Sequence, residues 1–280
     1  MPADHSAGIR TLLHDEILFG DGEPDLGPVM TSAKVALRSR AVVDVLEKAA
    51  TKAKSSGDHR RGRQLANLAD DLRHCRPRSR CVSLACPQCL RALQRAKTEV
   101  FTQAAQARTA TRSKARPVFV TIAPPQWVFE PSDLNKISLG KVVRWLKDTL
   151  RREGVDRPML GSLDIDVNNE GRIRIHLHAV MWTKNSARLT ARLKKALSTS
   201  PDLKYARSVQ VNGTRDLGFI AYSLKLVKFQ ELLRHNRKIL PDLLLFLDRT
   251  KASDILVLFG FHASAQRSGF IVRPLMKASG

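Results

Sequence analysis

Two alternating segments joined by a short polar turn constrain the fold of this chain more than any other feature. The first reads MLGSLDIDV over 159–167 and the second RIRIHLHAVMW over 172–182, with NNEG between them. Alternation of apolar and polar residues predicts half-buried strands, and the turn makes the pair a hairpin. The apolar side of the second strand consists of Ile173, Ile175, Leu177 and Ala179. We expect this side to face a core.

Two histidines occupy the other side of the second strand. His176 and His178 are two residues apart, so their side chains project to one face of the sheet at a spacing of ~7 Å. Because the alternate residues are apolar, we expect the histidine face to point outward. Two imidazoles at this spacing can bind one metal ion, and a carboxylate usually completes such a site. The alternative is a solvated sheet face on which the histidines have no ligand role.

The turn decides which residues of the first strand lie opposite the histidines. A three-residue loop that ends with Gly171 at positive φ is a common hairpin connection. It places Asp164 opposite His176 and Asp166 opposite Arg174. A slip of one residue would move apolar side chains to the histidine face. The burial pattern therefore favours the register in which Asp164 joins the histidines.

The segments around the hairpin predict helices packed on a sheet. After Arg116 the sequence indicates strands at 117–125 and 206–213 and helices at 139–154, 187–200 and 214–234. Before it, helical spacing covers 32–54, 59–75 and 87–108. With the hairpin, this order predicts an α+β fold with an antiparallel β-sheet and flanking helices, preceded by a helical N-terminal region.

The charge of the chain indicates a polyanionic partner. Lys and Arg number 48 against 26 Asp and Glu, a formal net charge of +22. Between Arg60 and Arg116 there are fourteen basic and three acidic residues, which favours a phosphate-binding surface over a merely solvated face. The longest apolar run, 239–247, is too short to cross a bilayer core of ~30 Å, and the first residues do not resemble a signal peptide. We therefore expect a cytoplasmic protein that binds nucleic acid and not membrane.

The chain has four cysteines, all within one short segment. They are Cys75, Cys81, Cys86 and Cys89, here called the cysteine cluster. The final Cys-Pro-Gln-Cys spacing is typical of a zinc knuckle, whereas the wider first half is not, and His74 is a substitute ligand. A closed structural Zn²⁺ site is the first interpretation; buried or redox-active thiols are the alternative. Arg76, Arg78 and Arg80 lie between the cysteines and are candidate contacts to DNA.

One tyrosine is a candidate nucleophile. Tyr222 is followed three residues later by Lys225, so a helix would place both side chains on one face. A phenol has a pKa near 10, and ionising it at pH 7 costs about 4 kcal/mol. A nearby ammonium group or a metal on the attacked phosphate reduces that cost. The alternative is a tyrosine packed at the edge of the sheet beside a solvated lysine.

Three segments taken together resemble a known family. FVTIAPP at 119–125, HLHAVMW at 176–182 and YSLK at 222–225 are similar, in this order, to the three motifs of HUH endonucleases. They are most similar to those of rolling-circle replication initiator (Rep) proteins of small bacterial plasmids. In that family a Glu commonly completes the metal site; here Asp164 stands at the matching position, with Asp166 in reserve. Some such initiators also carry a cysteine-rich segment upstream.

The resemblance implies an enzyme. His176, His178 and Asp164 would hold Mn²⁺ or Mg²⁺, and Tyr222 would attack single-stranded DNA with Lys225 near the phosphate. The product would be a 5′-phosphotyrosine and a free 3′-hydroxyl that primes replication. The implied partners are single-stranded and duplex origin DNA, a host polymerase and, since no Gly-x-x-x-x-Gly-Lys loop occurs, a host helicase.

The resemblance also suggests a division of the chain and leaves alternatives. The predicted regions are an N-terminal helical region at 1–70, a cysteine-rich zinc-binding segment with a basic helix at 71–112, an HUH nuclease domain at 113–234 and a C-terminal extension at 235–280. The extension could pack in the core or form a homodimer interface. The alternative functions are an HUH transposase or relaxase, and a non-catalytic, zinc-containing DNA-binding regulator. Relaxases typically carry a third histidine that RIHLHAV lacks.

Overall fold

The computed structural model describes most of the chain. The described residues are 32–110, 114–155, 158–168, 170–197, 209–213, 220, 223, 229–266 and 269–274. The two predicted catalytic residues, Tyr222 and Lys225, lie outside them, as do residues 1–31 of the predicted N-terminal region.

Within the described residues, three helices precede the sheet. They are α1 (Ser32–Ser55), α2 (His59–His74) and α3 (Pro87–Thr109). Helices α1 and α2 form a hairpin in which Gly57 takes a φ of +84° and the Asp58 carboxylate accepts a hydrogen bond from the Arg61 amide. This cap satisfies an amide that the first turn of α2 leaves without a helical partner. The predicted helices at 32–54, 59–75 and 87–108 are thus confirmed to within a residue or two.

A six-stranded antiparallel sheet forms the centre of the molecule. Its strands are β1 (Arg116–Ile122), β2 (Val128–Phe129), β3 (Met159–Val167), β4 (Ile173–Thr183), β5 (Val209–Gly213) and β6 (Leu256–Phe259). Their order is β5-β1-β4-β3-β6, and β2 pairs with the start of β4. A separate hairpin consists of β7 (Phe261–Gln266) and β8 (Gly269–Pro274). The predicted α+β class with an antiparallel sheet is confirmed.

The other helices of the described part of the chain flank the sheet. They are α4 (Leu139–Arg152), α5 (Ser186–Ala196), α6 (Phe229–His235), α7 (Leu240–Arg249) and α8 (Ala252–Ile255), with short 3₁₀ turns at Pro125–Trp127 and Pro131–Asp133. Among the helices of the described residues, none has a stretch long and apolar enough to span a bilayer.

The hairpin of β3 and β4 has the predicted register. Asp164 pairs with His176 and Asp166 with Arg174. Gly171 takes a φ of +78°, the left-handed conformation that the turn requires and glycine adopts without strain. The Asn168 side chain accepts hydrogen bonds from two backbone amides of the turn, which fixes its geometry.

The expectation that the histidine face points outward is wrong. His176 and His178 are only 6% and 7% exposed. Further along the same face, Trp182 is 1% exposed, donates a hydrogen bond to Thr109 of α3 and packs against the ring of Phe261. The sheet is therefore covered on both faces. The unbroken apolar run 179–182 at the end of the strand was the sequence signal for this, because a strand buried on both sides loses its alternation.

The C-terminal extension contributes to the central sheet. Its strand β6 pairs with β3, with Met159 opposite Phe259. One connected hydrophobic core runs from Val42 in α1 to Phe261 in β7. The sequence patterns at 252–261 were not recognised as strands. Where the predicted region boundaries fall stays a prediction.

Candidate metal and DNA-cleavage site

Polar side chains form three successive cross-strand pairs on one face of the β3–β4 hairpin. The pairs are Ser162 with His178, Asp164 with His176, and Asp166 with Arg174. Each pair consists of directly opposite residues, whose side chains lie close enough to interact. The sheet thus concentrates two imidazoles, two carboxylates and a guanidinium in a small area.

Asp164, His176 and His178 form what is here called the two-histidine cluster. Asp164 Oδ2 lies 3.1 Å from His176 Nε2 and 3.7 Å from His178 Nε2. One donor atom from each of the three residues lies within 4.8 Å of the others. Donors this close can share one cation, and a carboxylate with two imidazoles is a set that divalent metals accept. The residues present therefore fit the predicted metal site.

The charge of Asp164 is favoured although the side chain is fully buried. Burial opposes its ionisation, but hydrogen bonds and electrostatic interactions with His176 and His178 outweigh burial and lower the pKa of the carboxyl below its usual value. The second oxygen, Oδ1, accepts a hydrogen bond of 2.9 Å from the Ile165 amide. Asp164 is therefore an anion at neutral pH with one oxygen directed to the histidines.

Strand β1 orients one of the histidines. Thr121 lies opposite His178, and its Oγ1 is 3.1 Å from His178 Nδ1. The ring of Phe119 stacks on the same imidazole, with centroids 5.7 Å apart and planes 13° from parallel. With Nδ1 bonded to Thr121, Nε2 is the nitrogen left for a ligand. Sequence reasoning gave Thr121 no role, because the pairing of β1 with β4 joins residues 57 positions apart.

The reserve ligand, Asp166, is engaged elsewhere. Arg174 donates two hydrogen bonds to its carboxylate, Nε to Oδ1 at 2.9 Å and NH2 to Oδ2 at 2.7 Å. Asp166 Oδ2 lies 3.9 Å from His176 Nε2. Of the two carboxylates, Asp164 is the one grouped with both histidines. That Arg174 contacts DNA stays a prediction; its side chain is 38% exposed.

A hydrogen bond ties a distant part of the chain to this face. Ser162 Oγ donates to the backbone carbonyl of Ser223 at 2.5 Å, and Ser223 Oγ donates to the carbonyl of Ile220 at 2.8 Å. Both Ser223 and Ile220 are buried. Tyr222 is the residue immediately before Ser223 in the sequence. Sequence reasoning missed Ser162, since a serine in a strand carries no signal of a partner 61 residues away.

The cysteine cluster is assembled at the junction of two helices. Cys75 ends α2, Cys86 caps α3 and Cys89 lies in its first turn. All four are free thiols, and their Sγ atoms lie within 4.8 Å of one another. Hydrogen bonds with the other three cysteines lower the pKa of the Cys75 thiol despite its burial, and the bond with Cys81 has the largest effect. The cluster could bind a metal such as zinc.

The substitute ligand, His74, points away from the cysteine cluster. Its side chain is 69% exposed, and its Nδ1 lies 3.0 Å from the Asp70 carbonyl oxygen. In this segment the structure brings together the four cysteines, without His74, as a group that could hold a metal ion.

The predicted DNA-contacting arginines lie on a turn between the first two cysteines. Arg76 and Ser79 exchange two backbone hydrogen bonds, which closes the turn. Arg76 donates to the carbonyl oxygens of Arg73 and Cys75, at 2.7 and 2.8 Å. Arg76 and Arg78 are exposed, whereas Arg80 is partly buried. Their contact with DNA stays a prediction.

The comparisons with known proteins give no family. No protein-family model, no curated protein and no solved structure matches this chain. The similarity to HUH endonucleases therefore stays a prediction from three motifs. A proposed function has to stand on the chemistry of the two clusters.

Proposed function

We propose that this chain nicks and rejoins single-stranded DNA at an origin through a 5′-phosphotyrosine intermediate, and thereby starts rolling-circle replication. One observation carries the proposal. The two-histidine cluster lies on the sheet face to which Ser162 binds the carbonyl of Ser223, the sequence neighbour of Tyr222. The residue that follows the candidate nucleophile in the sequence is thus bonded to the face that carries the candidate cation site.

The two-histidine cluster would hold Mn²⁺ or Mg²⁺. Its donor set combines one carboxylate oxygen with two imidazole nitrogens, which suits Mn²⁺ well and Mg²⁺ acceptably. A cation bound there would polarise the scissile phosphate and stabilise the charge that develops on it. Thr121 and Phe119 keep the His178 ring in one orientation, so the protein does not have to order this donor when DNA arrives.

The proposed chemistry is one balanced exchange at phosphorus. The Tyr222 phenol oxygen forms a bond to the scissile phosphorus, and the bond from phosphorus to the preceding 3′ oxygen breaks. The phenol loses its proton and the leaving oxygen gains one, which produces a 5′-phosphotyrosyl ester and a free 3′-hydroxyl. One ester bond replaces another, so the reverse reaction rejoins the strand without an added energy source. Lys225 would steady the charge on the phosphate.

The charge of the chain supports a nucleic-acid substrate. A net charge of +22 attracts a polyanion over distances of about 10 Å at moderate salt. We assign single-stranded origin DNA to the two-histidine cluster, and duplex origin DNA to the Arg76–Arg80 turn beside a zinc-loaded cysteine cluster. A host helicase would unwind the duplex, and a host polymerase would extend the free 3′ end. A homodimer would supply a second tyrosine to close the displaced circle.

The test is formation of a covalent protein–DNA adduct. A labelled single-stranded origin oligonucleotide is incubated with the protein and Mn²⁺ and resolved under denaturing conditions. We expect an adduct with the native chain, none with Tyr222→Phe, and an adduct with Tyr205→Phe, the matched control at the only other tyrosine. An adduct that persists in Tyr222→Phe would contradict the assigned nucleophile.

A non-catalytic DNA-binding regulator is the second candidate. The observation that favours it is the cysteine cluster, which joins α2 to α3 beside exposed Arg76 and Arg78 and needs no chemistry to bind DNA. Absence of an adduct with every candidate strand, together with tight duplex binding, would favour this function. An adduct formed only on transposon-end or transfer-origin strands would instead indicate a transposase or relaxase.

A further inference from the structure

Two carboxylates approach the same histidine, yet only one of them belongs to the two-histidine cluster. Asp164 Oδ2 is 3.1 Å from His176 Nε2, and Asp166 Oδ2 is 3.9 Å from the same atom. Both carboxylates are buried and lie on one strand, two residues apart. Position alone therefore does not explain why Asp166 should stay outside a cation's ligand set.

The difference between the two carboxylates is Arg174. Its guanidinium binds both oxygens of Asp166 in a two-point pair, at 2.9 and 2.7 Å. Such a pair fixes the orientation of the carboxylate as well as its charge balance. The oxygens of Asp164 go instead to the Ile165 amide and the histidines.

We propose that Arg174 is a positioning residue that holds Asp166 out of the cation's ligand set and so sets the affinity and selectivity of the site. The inference rests on the cation site of the proposed function, but not on the cleavage chemistry. With Arg174 in place, Asp164 is the one carboxylate of the two that is available to the cation. Without Arg174, Asp166 would be available as well.

The burial of the pair determines the effect of removing Arg174. The Asp166 side chain is 7% exposed, so its carboxylate is largely shielded from bulk water. A buried anion that loses its partner is strongly destabilised. The nearest place for a compensating positive charge is a cation at His176. Because an added oxygen ligand favours hard cations, the change should help Mg²⁺ more than Mn²⁺.

The test is titration of the zinc-loaded full chain with Mn²⁺, in which electron paramagnetic resonance measures the free ion, without DNA. We expect Arg174→Gln to bind Mn²⁺ about tenfold more tightly than the native chain, a change of the size produced by altered partners of metal ligands. Competition with Mg²⁺ should show a larger gain for Mg²⁺. Asp166→Asn removes the negative charge that balances Arg174, so it should bind Mn²⁺ more weakly than the native chain, and the double variant should return to about the native affinity.

Two further variants separate the possible failures. His176→Ala should abolish Mn²⁺ binding; if it does not, the cation site of the proposed function is wrong. If His176→Ala abolishes Mn²⁺ binding but the Mn²⁺ affinity of Arg174→Gln is equal to or lower than that of the native chain, only the role of Arg174 is overturned. Arg174→Lys, which keeps the charge but not the two-point geometry, should fall between Arg174→Gln and the native chain, and it serves if the glutamine variant fails to fold.

Discussion

Ser162 on β3 donates a buried hydrogen bond of 2.5 Å to the backbone carbonyl of Ser223. Ser162 lies directly opposite His178, and Ser223 directly follows Tyr222. This one bond links the strand that carries Asp164 to the segment that carries the proposed nucleophile. Its consequences for the proposed DNA cleavage can be separated from its contribution to stability.

Ser162→Ala should lower the nicking rate more than it lowers stability. Loss of one buried hydrogen bond costs about 1–2 kcal/mol of unfolding free energy, whereas misplacing a nucleophile by about 1 Å costs about 100-fold in rate. Mn²⁺ affinity should be unchanged. The control is Ser39→Ala, which removes a buried bond of 3.0 Å to the Val35 carbonyl in α1. Equal rate losses in both variants would show that the Ser162 bond has no special role.

Thr121→Val should weaken metal binding at the two-histidine cluster. The variant removes the hydroxyl that bonds to His178 Nδ1 and keeps the shape of the side chain. The imidazole then loses its fixed orientation, and we expect Mn²⁺ affinity to fall by about tenfold. Calorimetric titration measures this. Thr98→Val, which removes a buried hydroxyl bonded to the Gln94 carbonyl in α3, should leave the affinity unchanged.

Lys97 should make stability depend on pH. Burial lowers the pKa of this α3 side chain to about 7. The unfolded chain then binds a proton that the folded chain lacks at pH values between about 7 and 10, so the free energy of unfolding should rise through that window, by up to about 1.4 kcal/mol per pH unit. Denaturant unfolding of Lys97→Met at pH 7.5 and 9 should lack this increment. The exposed Lys48→Met variant should retain it.

Disruption of the cysteine cluster should release zinc and lower stability. Cys86→Ser with Cys89→Ser removes two of the four sulfur ligands at the start of α3. We expect about one zinc ion per native chain by elemental analysis, none in the double variant, and a lower melting temperature. Duplex-origin binding should also be lost. Ser83→Ala, a nearby change outside the cluster, should keep zinc and DNA binding, and duplex binding by the zinc-free variant would rule out a role for this segment.

Gly161→Ala should destabilise the hairpin beneath the site. A methyl group at Gly161 would collide with the His178 carbonyl oxygen and lie 2.6 Å from Ala179 Cα, both backbone atoms of β4. The strands cannot part without loss of their pairing, so we expect a loss of about 1–3 kcal/mol. Gly213→Ala on the edge strand β5, where no atom of the described residues lies within 4 Å, should cost much less. Equal losses in thermal unfolding would contradict this account.

The sequence by itself determined the hairpin, its register and both groups of candidate metal ligands. Alternation over 159–182 and one glycine with positive φ placed Asp164 opposite His176, because strand pairing across a short turn is a local property. The cysteine cluster also followed from spacing within fifteen residues. These features depend on neighbours along the chain.

Only the tertiary structure decided which segments cover the histidine face and which residues bond to it. The face is buried by distant segments of the chain. The bond between Thr121 and His178 joins residues 57 positions apart, and the bond between Ser162 and Ser223 joins residues 61 positions apart. Periodicity shows which residues of a strand share a face, but not which other segment will cover that face. The ion pair that keeps Asp166 with Arg174 depends on burial as well, since water would weaken the same pair at an exposed position.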